Sequence, residues 1–306
     1  MLQLGCRLLL AVMITFAAAN AQELESAYKN LKDAEAKKDV DLVRKYAGET
    51  SKAARAIAAT PEPAKAEDKE AWATRVDYAK QVDTYTEYAM YAFVRQPIEP
   101  AKIVDLCEAL EAQNSKSQYL PQIAGRCLVG FSQSAQAKLV PFAERAAERD
   151  PANEEILMVL ADSYQSAKQP DKALAAAGKL VELMNTKAKP EAIDADTWQK
   201  RKEFMLGSGY WIMGVIQGDR NQYAEADKSL RAALPLIKEG PRRGPMLFYL
   251  GVANYQLGKA SKNRTQMTDG AKFSEDAAAI PGAYQAPALK NAKSIRAELA
   301  QTPKKK

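Results

Sequence analysis

The feature that most limits how this chain can fold is a recurrence of small residues at helical spacing. Between Gly207 and Gly258, the set Gly214, Tyr223, Ala226, Leu230 and Ala233 is spaced by 9, 3, 4 and 3 residues. A related set, Leu247, Leu250, Gly251, Tyr255 and Gly258, follows about one repeat later, and an upstream copy runs through Leu157, Leu160, Ala161, Tyr164, Ala173, Ala177 and Leu180. Offsets of three and four place residues on one face of a helix. Two antiparallel helices approach closely only where one offers a small side chain, so Ala161, Gly214 and Gly251 suit contact with Ala173, Ala226 and their equivalents. One such pair cannot bury its own apolar faces, so neighbouring pairs must stack.

These residues resemble the tetratricopeptide repeat (TPR) family. The resemblance implies an all-α fold: a right-handed superhelix of antiparallel helix pairs, a TPR-like α-solenoid with a concave and a convex side, closed by a C-terminal capping helix. It is strongest over Asn153–Met184 and Gly207–Gly258. Two departures stand out. Arg126 and Gly130 occupy places where the family prefers apolar or aromatic residues. Ala173 and Ala226 are 53 residues apart, against about 34 for the family, so an extended helix from Asp194 through Trp198, Phe204 and Met205 is expected as an insertion.

Composition agrees with helices. At 306 residues, 47 % hydrophobic and 27 % charged, the chain suits one extended helical array or two modest domains rather than disorder. Ala, Lys, Glu, Leu and Gln dominate, and alternating β-branched runs are hard to find. At the start, Arg7 precedes an apolar run from Leu8 to Ala19, and Ala19-Asn20-Ala21 offers a cleavage site before Gln22. That run is shorter than the ~20 residues a membrane-spanning helix needs.

Residues 1–21 are therefore expected to be a cleaved signal peptide. Residues 22–150 form an N-terminal region of degenerate TPR-like hairpins, residues 151–300 the clearer repeats with the inserted and capping helices, and residues 301–306 a disordered basic tail. The expected location is periplasmic or secreted. A net charge of +6, much of it from Lys304, Lys305 and Lys306, and no basic stripe interleaved with aromatics argue against a nucleic-acid partner.

Along the chain, a hairpin from Gln22 to about Ala59 turns near Lys38 and Asp39, and Thr60-Pro61-Glu62-Pro63 breaks it. A long helix from about Glu67 to Val94 turns Trp72, Val76, Ala79, Val82, Tyr85 and Ala89 inward. Tyr78, Tyr88 and Tyr91 fall off that stripe, as expected where a half-covered helix keeps phenol hydroxyls wet. Cys107 and Cys127 flank a turn near Gln113–Ser117 at similar heights on two helices. They are a candidate disulfide in an oxidising compartment, or equally two small buried thiols. Asn153 suits an N-cap and Pro170 a first helical position. Gly240–Pro245 reads as a turn with two exposed bases ahead of a helix from Met246, and the last helix is expected to bury Leu289, Ala292, Ile295 and Leu299.

The chain contains no histidine. That removes the Ser-His and Cys-His nucleophile pairs, the common zinc and haem ligand sets and the usual neutral-pH proton shuttle. There is no phosphate-binding Gly-x-x-x-x-Gly-Lys loop, and paired acids such as Glu154-Glu155 sit at helix starts. No catalytic residue, metal or cofactor is expected.

In the TPR family, positions one turn apart on the first helix of each pair line the concave groove. The matching positions are Trp211, Val215 and Gly218, then Phe248, Val252 and Tyr255, with Met158, Asp162 and Gln165 upstream. Met158, Trp211, Val215, Phe248, Val252 and Tyr255 are thus the candidate partner groove, apolar enough for a peptide segment or partner helix. Capture of a C-terminal carboxylate by basic and amide residues, known in the family, is not matched there. The resemblance implies a noncatalytic protein-binding scaffold or adaptor of the cell envelope. A self-assembling spacer, forming a homo-oligomer, is the alternative, and a carboxylate-dependent enzyme a weaker one.

Overall fold

The structure, a computed structural model, describes residues 21–301. The expected leader and tail lie outside the described residues but for Ala21 and Gln301. The described chain is all-helical and contains no strand. It divides after Asp150 into two compact units.

The first unit comprises α1 (21–37), α2 (Val40–Ala58), α3 (Ala66–Val94), α4 (Pro100–Gln113), α5 (Leu120–Ser134) and α6 (Gln136–Arg149). Asp39 starts α2 by accepting a hydrogen bond from the Leu42 amide at 3.1 Å, which satisfies one otherwise orphaned donor. Leu24 from α1 meets Ala53, Ala54 and Ile57 from α2 and Ala79 and Val82 from α3 in one core. The two prolines at 61 and 63 lie in the non-helical link before α3. Pro100 and Pro121 stand in the first turns of α4 and α5, where a missing N–H costs nothing.

Cys107 and Cys127 are bonded, with Cα atoms 6.1 Å apart on α4 and α5. A bridge across a loop of this length stabilises the fold by about 3 kcal/mol in the chain-entropy account. Gly130 has a packing reason: a Cβ there would lie 2.9 Å from Ile103 Cγ2. Below it Phe131 and Phe142 stack with centroids 4.6 Å apart.

The second unit comprises α7 (Glu154–Ser166), α8 (Pro170–Thr186), α9 (Ala195–Asp219), α10 (Tyr223–Ala233), α11 (Arg243–Ala260), α12 (Arg264–Ala278) and α13 (Gln285–Gln301). Each helix packs on the next, and α7 also meets α9, α9 meets α11, and α11 meets α13. Asn153 caps α7 by accepting from the Glu155 and Ile156 amides. Gly251 and Gly270 let α11 and α12 approach closely: a Cβ on Gly270 would lie 2.7 Å from Tyr255 N and 2.9 Å from Gly251 O.

One turn is built four times. Lys38, Lys168, Asn221 and Lys262 have φ of 56°, 55°, 60° and 56°. At each, that residue's N–H donates to the carbonyl three residues back, and the next N–H to the carbonyl five residues before itself, as in Asp39 to Ala34 and Gln169 to Tyr164. This is a Schellman ending followed at once by a new helix. The helix that follows buries the residues five, nine and twelve positions on, as in Ala173, Ala177 and Leu180 or Ala226, Leu230 and Ala233.

Four expectations change in detail. Residues 195–219 form one continuous helix capped by Asp194, so the long spacing comes from an N-terminal extension of α9 rather than a separate inserted helix. Gly214 is matched by Leu230 rather than Ala226, since a Cβ on the glycine would fall 2.4 Å from Leu230 Cγ. Arg242 and Arg243 are half-buried and bonded, and α11 begins at Arg243. Leu289 is 47 % exposed, and Ala288 takes its place beside Ala292, Ile295 and Leu299, because the small side chain lets α13 settle against Leu247 and Ala277.

Candidate functional site

The residues expected to line one groove are divided among separate cores of the second unit. Met158 is buried with Leu180, Met184, Trp198 and Met205. Trp211 and Val215 pack with Leu230, Met246 and Leu250. Phe248 joins Leu247, Ala277 and Ala288, its ring 5.2 Å from that of Tyr284. Tyr255 lies against Ile295 and Leu299 and donates its hydroxyl to Glu298. Val252 is half-buried one turn from Phe248. The helical register was readable, but Ala288, Tyr284 and α13 cover part of the face that the register selects.

Arg242, at the N-cap of α11, lies over the half-buried Trp211. Its guanidinium donates to Asp162 on α7 at 2.9 and 3.1 Å and to Ser208 on α9, and it stands 5.1 Å over the Trp211 ring. The indole N–H of Trp211 donates back to the Arg242 carbonyl at 3.0 Å. Asp162 was among the concave positions read from the sequence, and the Arg242 that pairs with it is 80 residues away, beyond any local signal; burial outweighs that pair and raises the Asp162 carboxyl above its ordinary value.

Two deeply set acids are each paired with two bases, whereas Glu87 accepts from the Asn114 amide. Glu154, 7 % exposed, pairs with Lys187 and Arg201. Glu111, 12 % exposed, pairs with Arg145 and Arg149. Burial opposes ionisation of both carboxyls, but these cations outweigh it and hold each below the usual range.

A row of mutually touching tyrosines, one of them exposed, lies in the first unit instead. Tyr85, Tyr88 and Tyr91 repeat every third residue of α3, a row that runs obliquely across the helix. Tyr28 of α1 meets Tyr85 edge-on at 5.7 Å; Tyr85 and Tyr88 are 5.9 Å apart, Tyr88 and Tyr91 6.0 Å. Tyr119, at the start of α5, packs on Tyr91 at 4.9 Å and on Tyr88 at 6.0 Å. Tyr88 stands 45 % exposed between half-buried neighbours.

Lys32 lies 4.5 Å over the Tyr85 ring and donates to its hydroxyl, which donates on to Glu35 at 2.8 and 2.9 Å. Burial raises the Tyr85 phenol above its ordinary value, Lys32 pulls it down, and Glu35 adds to the rise. It is therefore a neutral phenol near pH 7. At the other end Arg95 stands 5.4 Å over Tyr91 and donates to its hydroxyl at 2.8 Å. Arg126 donates to the Val94 and Gln96 carbonyls on either side of Arg95. The sequence reading set Tyr88 and Tyr91 off the inward stripe but left Tyr85 on it; the structure joins all three in one row, and the addition of Tyr28 and Tyr119 depends on tertiary packing.

Among the described residues no helix is long and apolar enough to cross a membrane, and no group of three or more His, Cys, Asp or Glu side chains is placed to hold a metal ion. Compared with known protein families and with curated proteins, the chain matches no family model and no curated sequence.

Proposed function

We propose that this chain is a noncatalytic protein-binding scaffold built from tetratricopeptide-like helix pairs and exported to an oxidising compartment, periplasmic or extracellular. The observation that carries the reading is the turn built four times, with the same buried positions after it. A chain that repeats one helix pair generates surface rather than a single pocket. The Cys107–Cys127 bond supports export, because such bridges persist where thiols are not kept reduced. The tying of Glu111, Glu154 and Asp162 to bases supports a noncatalytic role, since each carboxylate already has a charge partner. With Trp211 and Phe248 engaged in packing, the tyrosine face of α3 is the better contact surface.

The test is a photo-crosslinking scan of the full chain in its native cells, with the reactive side chain placed in turn at Tyr78, Tyr88, Phe204 and Leu289. These are exposed positions. The scaffold reading expects one identified partner protein to be labelled reproducibly from one of these positions and not from the rest. Labelling of other copies of this chain alone would replace it with the spacer reading, and absence of any labelling from all four positions would end it.

A further inference from the structure

Resting on that scaffold reading, we infer that the tyrosine ladder of α3 is the docking face for an extended, proline-rich segment of a partner protein that ends in an acidic group. The spacing is the first argument. Residues three apart on a helix rise ~4.5 Å per step, so Tyr85 to Tyr91 advances ~9 Å along the helix axis, close to the ~9.3 Å of one polyproline II turn. The ring-to-ring steps of 5.7, 5.9 and 6.0 Å from Tyr28 to Tyr91 are covered by at most about six residues of such a segment.

Chemistry gives the second argument. A partner helix has satisfied its own carbonyls and needs aliphatic sockets, whereas this face offers flat rings edged with hydroxyls. A polyproline II chain makes no internal hydrogen bonds, so its carbonyls are free to accept from the Tyr88 and Tyr91 phenols, the Tyr85 proton being given to Glu35, while its pyrrolidine rings lie on aromatic faces. The pre-set φ of proline also lowers the entropy lost on binding.

Charge fixes the direction. Lys32, at the Tyr28–Tyr85 end, is already balanced by Glu35. At the Tyr91 end, Arg95 bonds a phenol and Arg126 bonds backbone carbonyls, leaving their positive charge to attract an acid. The acidic terminus of the segment therefore lies at the Arg95 end.

The experiment titrates the full chain with an acetylated octaproline followed by Glu-Glu, read by calorimetry and by the tyrosine ring resonances. Saturable binding is expected, weakened about tenfold by Tyr88→Ala and about threefold by Arg95→Gln, and unchanged by Tyr78→Ala, an equally exposed tyrosine outside the ladder. Tyr88 is exposed enough that its removal leaves the melting transition in place, which circular dichroism checks. Equal binding of a Gly-Ser peptide with the same Glu-Glu end would overturn the proposal, because charge alone would then explain it. So would binding that Tyr88→Ala leaves untouched, or binding of a β-linked glucose hexasaccharide in place of the peptide. Should the peptide not bind while the crosslinking scan still labels a partner from Phe204 or Leu289, the docking face is wrong and the scaffold reading stands. Failure of both removes both.

Discussion

Trp211 and Tyr88 both sit on the longest helices of their units, one near the middle of α9 and the other near the end of α3. Around Trp211, α10 and α11 supply Leu230, Met246 and Leu250, and Arg242 lies across the ring and accepts its N–H bond. Around Tyr88 the neighbours are Tyr85, Tyr91 and Tyr119, which touch its ring without covering it. The second unit thus uses Trp211 to join helix pairs, while the first presents Tyr88 to solvent within a row of rings. What decides between core and surface is the next element's side chains rather than the residue's own register. An indole with one donor is satisfied by one carbonyl, whereas a row of phenols keeps several hydroxyls that water can serve.

The largest effect expected from that comparison lies in the close approach of α11 and α12. Gly270→Val puts a branched side chain where even a Cβ meets the Tyr255 amide at 2.7 Å and the Gly251 carbonyl at 2.9 Å. Both neighbours are backbone, so neither can swing aside. The second unit is expected to lose more than ~3 kcal/mol, seen as an early transition in urea unfolding followed by circular dichroism. A loss under about 1 kcal/mol would show that this helix pair is not tightly seated, and the contrast between the units would weaken.

A pair of alanine substitutions probes the contrast directly. Trp211→Ala removes a half-buried ring from a core and takes the indole from beneath Arg242, which keeps Asp162 and Ser208, with an expected cost of about 2–3 kcal/mol. Tyr88→Ala removes a ring that water already reaches, with an expected cost within about 0.5 kcal/mol. The same urea titrations give both values. Equal costs would mean that Tyr88 packs as firmly as Trp211 and that the ladder is structural.

Much of the helical framework was legible because caps and breakers act locally. Asn153 before α7, Pro170 in the first turn of α8, Asp194 before α9 and the prolines at 61 and 63 each fix a boundary through their own backbone chemistry. Apolar periodicity then names the inward face of a helix, as with Val76, Ala79 and Val82 on α3. It cannot name what lies across from that face. Phe248 has groove register and is partly covered by Tyr284 and Ala288; Arg242 looked like an exposed turn residue and meets Asp162 from 80 residues away. Ala288 and Leu289 are adjacent, and only the closeness of α13 to its neighbours selects the smaller one for the interior. The cysteines left two outcomes open until helix positions brought their Cα atoms to 6.1 Å.

A pH-dependent effect tests the likeness between the units rather than their contrast, since both carry the same device. Glu111 in the first and Glu154 in the second are buried against two cations each, and both carboxyls titrate below their usual value. A folded value below the unfolded one gives stability that is complete above the unfolded value of 4.5 and is lost as pH falls through the folded value. Both units are therefore expected to weaken below about pH 5. Replacing either glutamate by glutamine removes its share of that slope and costs about 1–2 kcal/mol at neutral pH. The costs should differ, because Arg201 also holds Glu155 at 2.8 Å and keeps an acid when Glu154 is changed. Arg145 and Arg149 converge on the one carboxylate of Glu111. Glu111→Gln is thus expected to cost more at pH 7 and to flatten the acid limb of the first unit, while Glu154→Gln acts more weakly on the second. Urea titrations at a series of pH values from 3 to 7 separate the two, and identical acid slopes in both variants and the unaltered protein would show that neither pair governs the acid response.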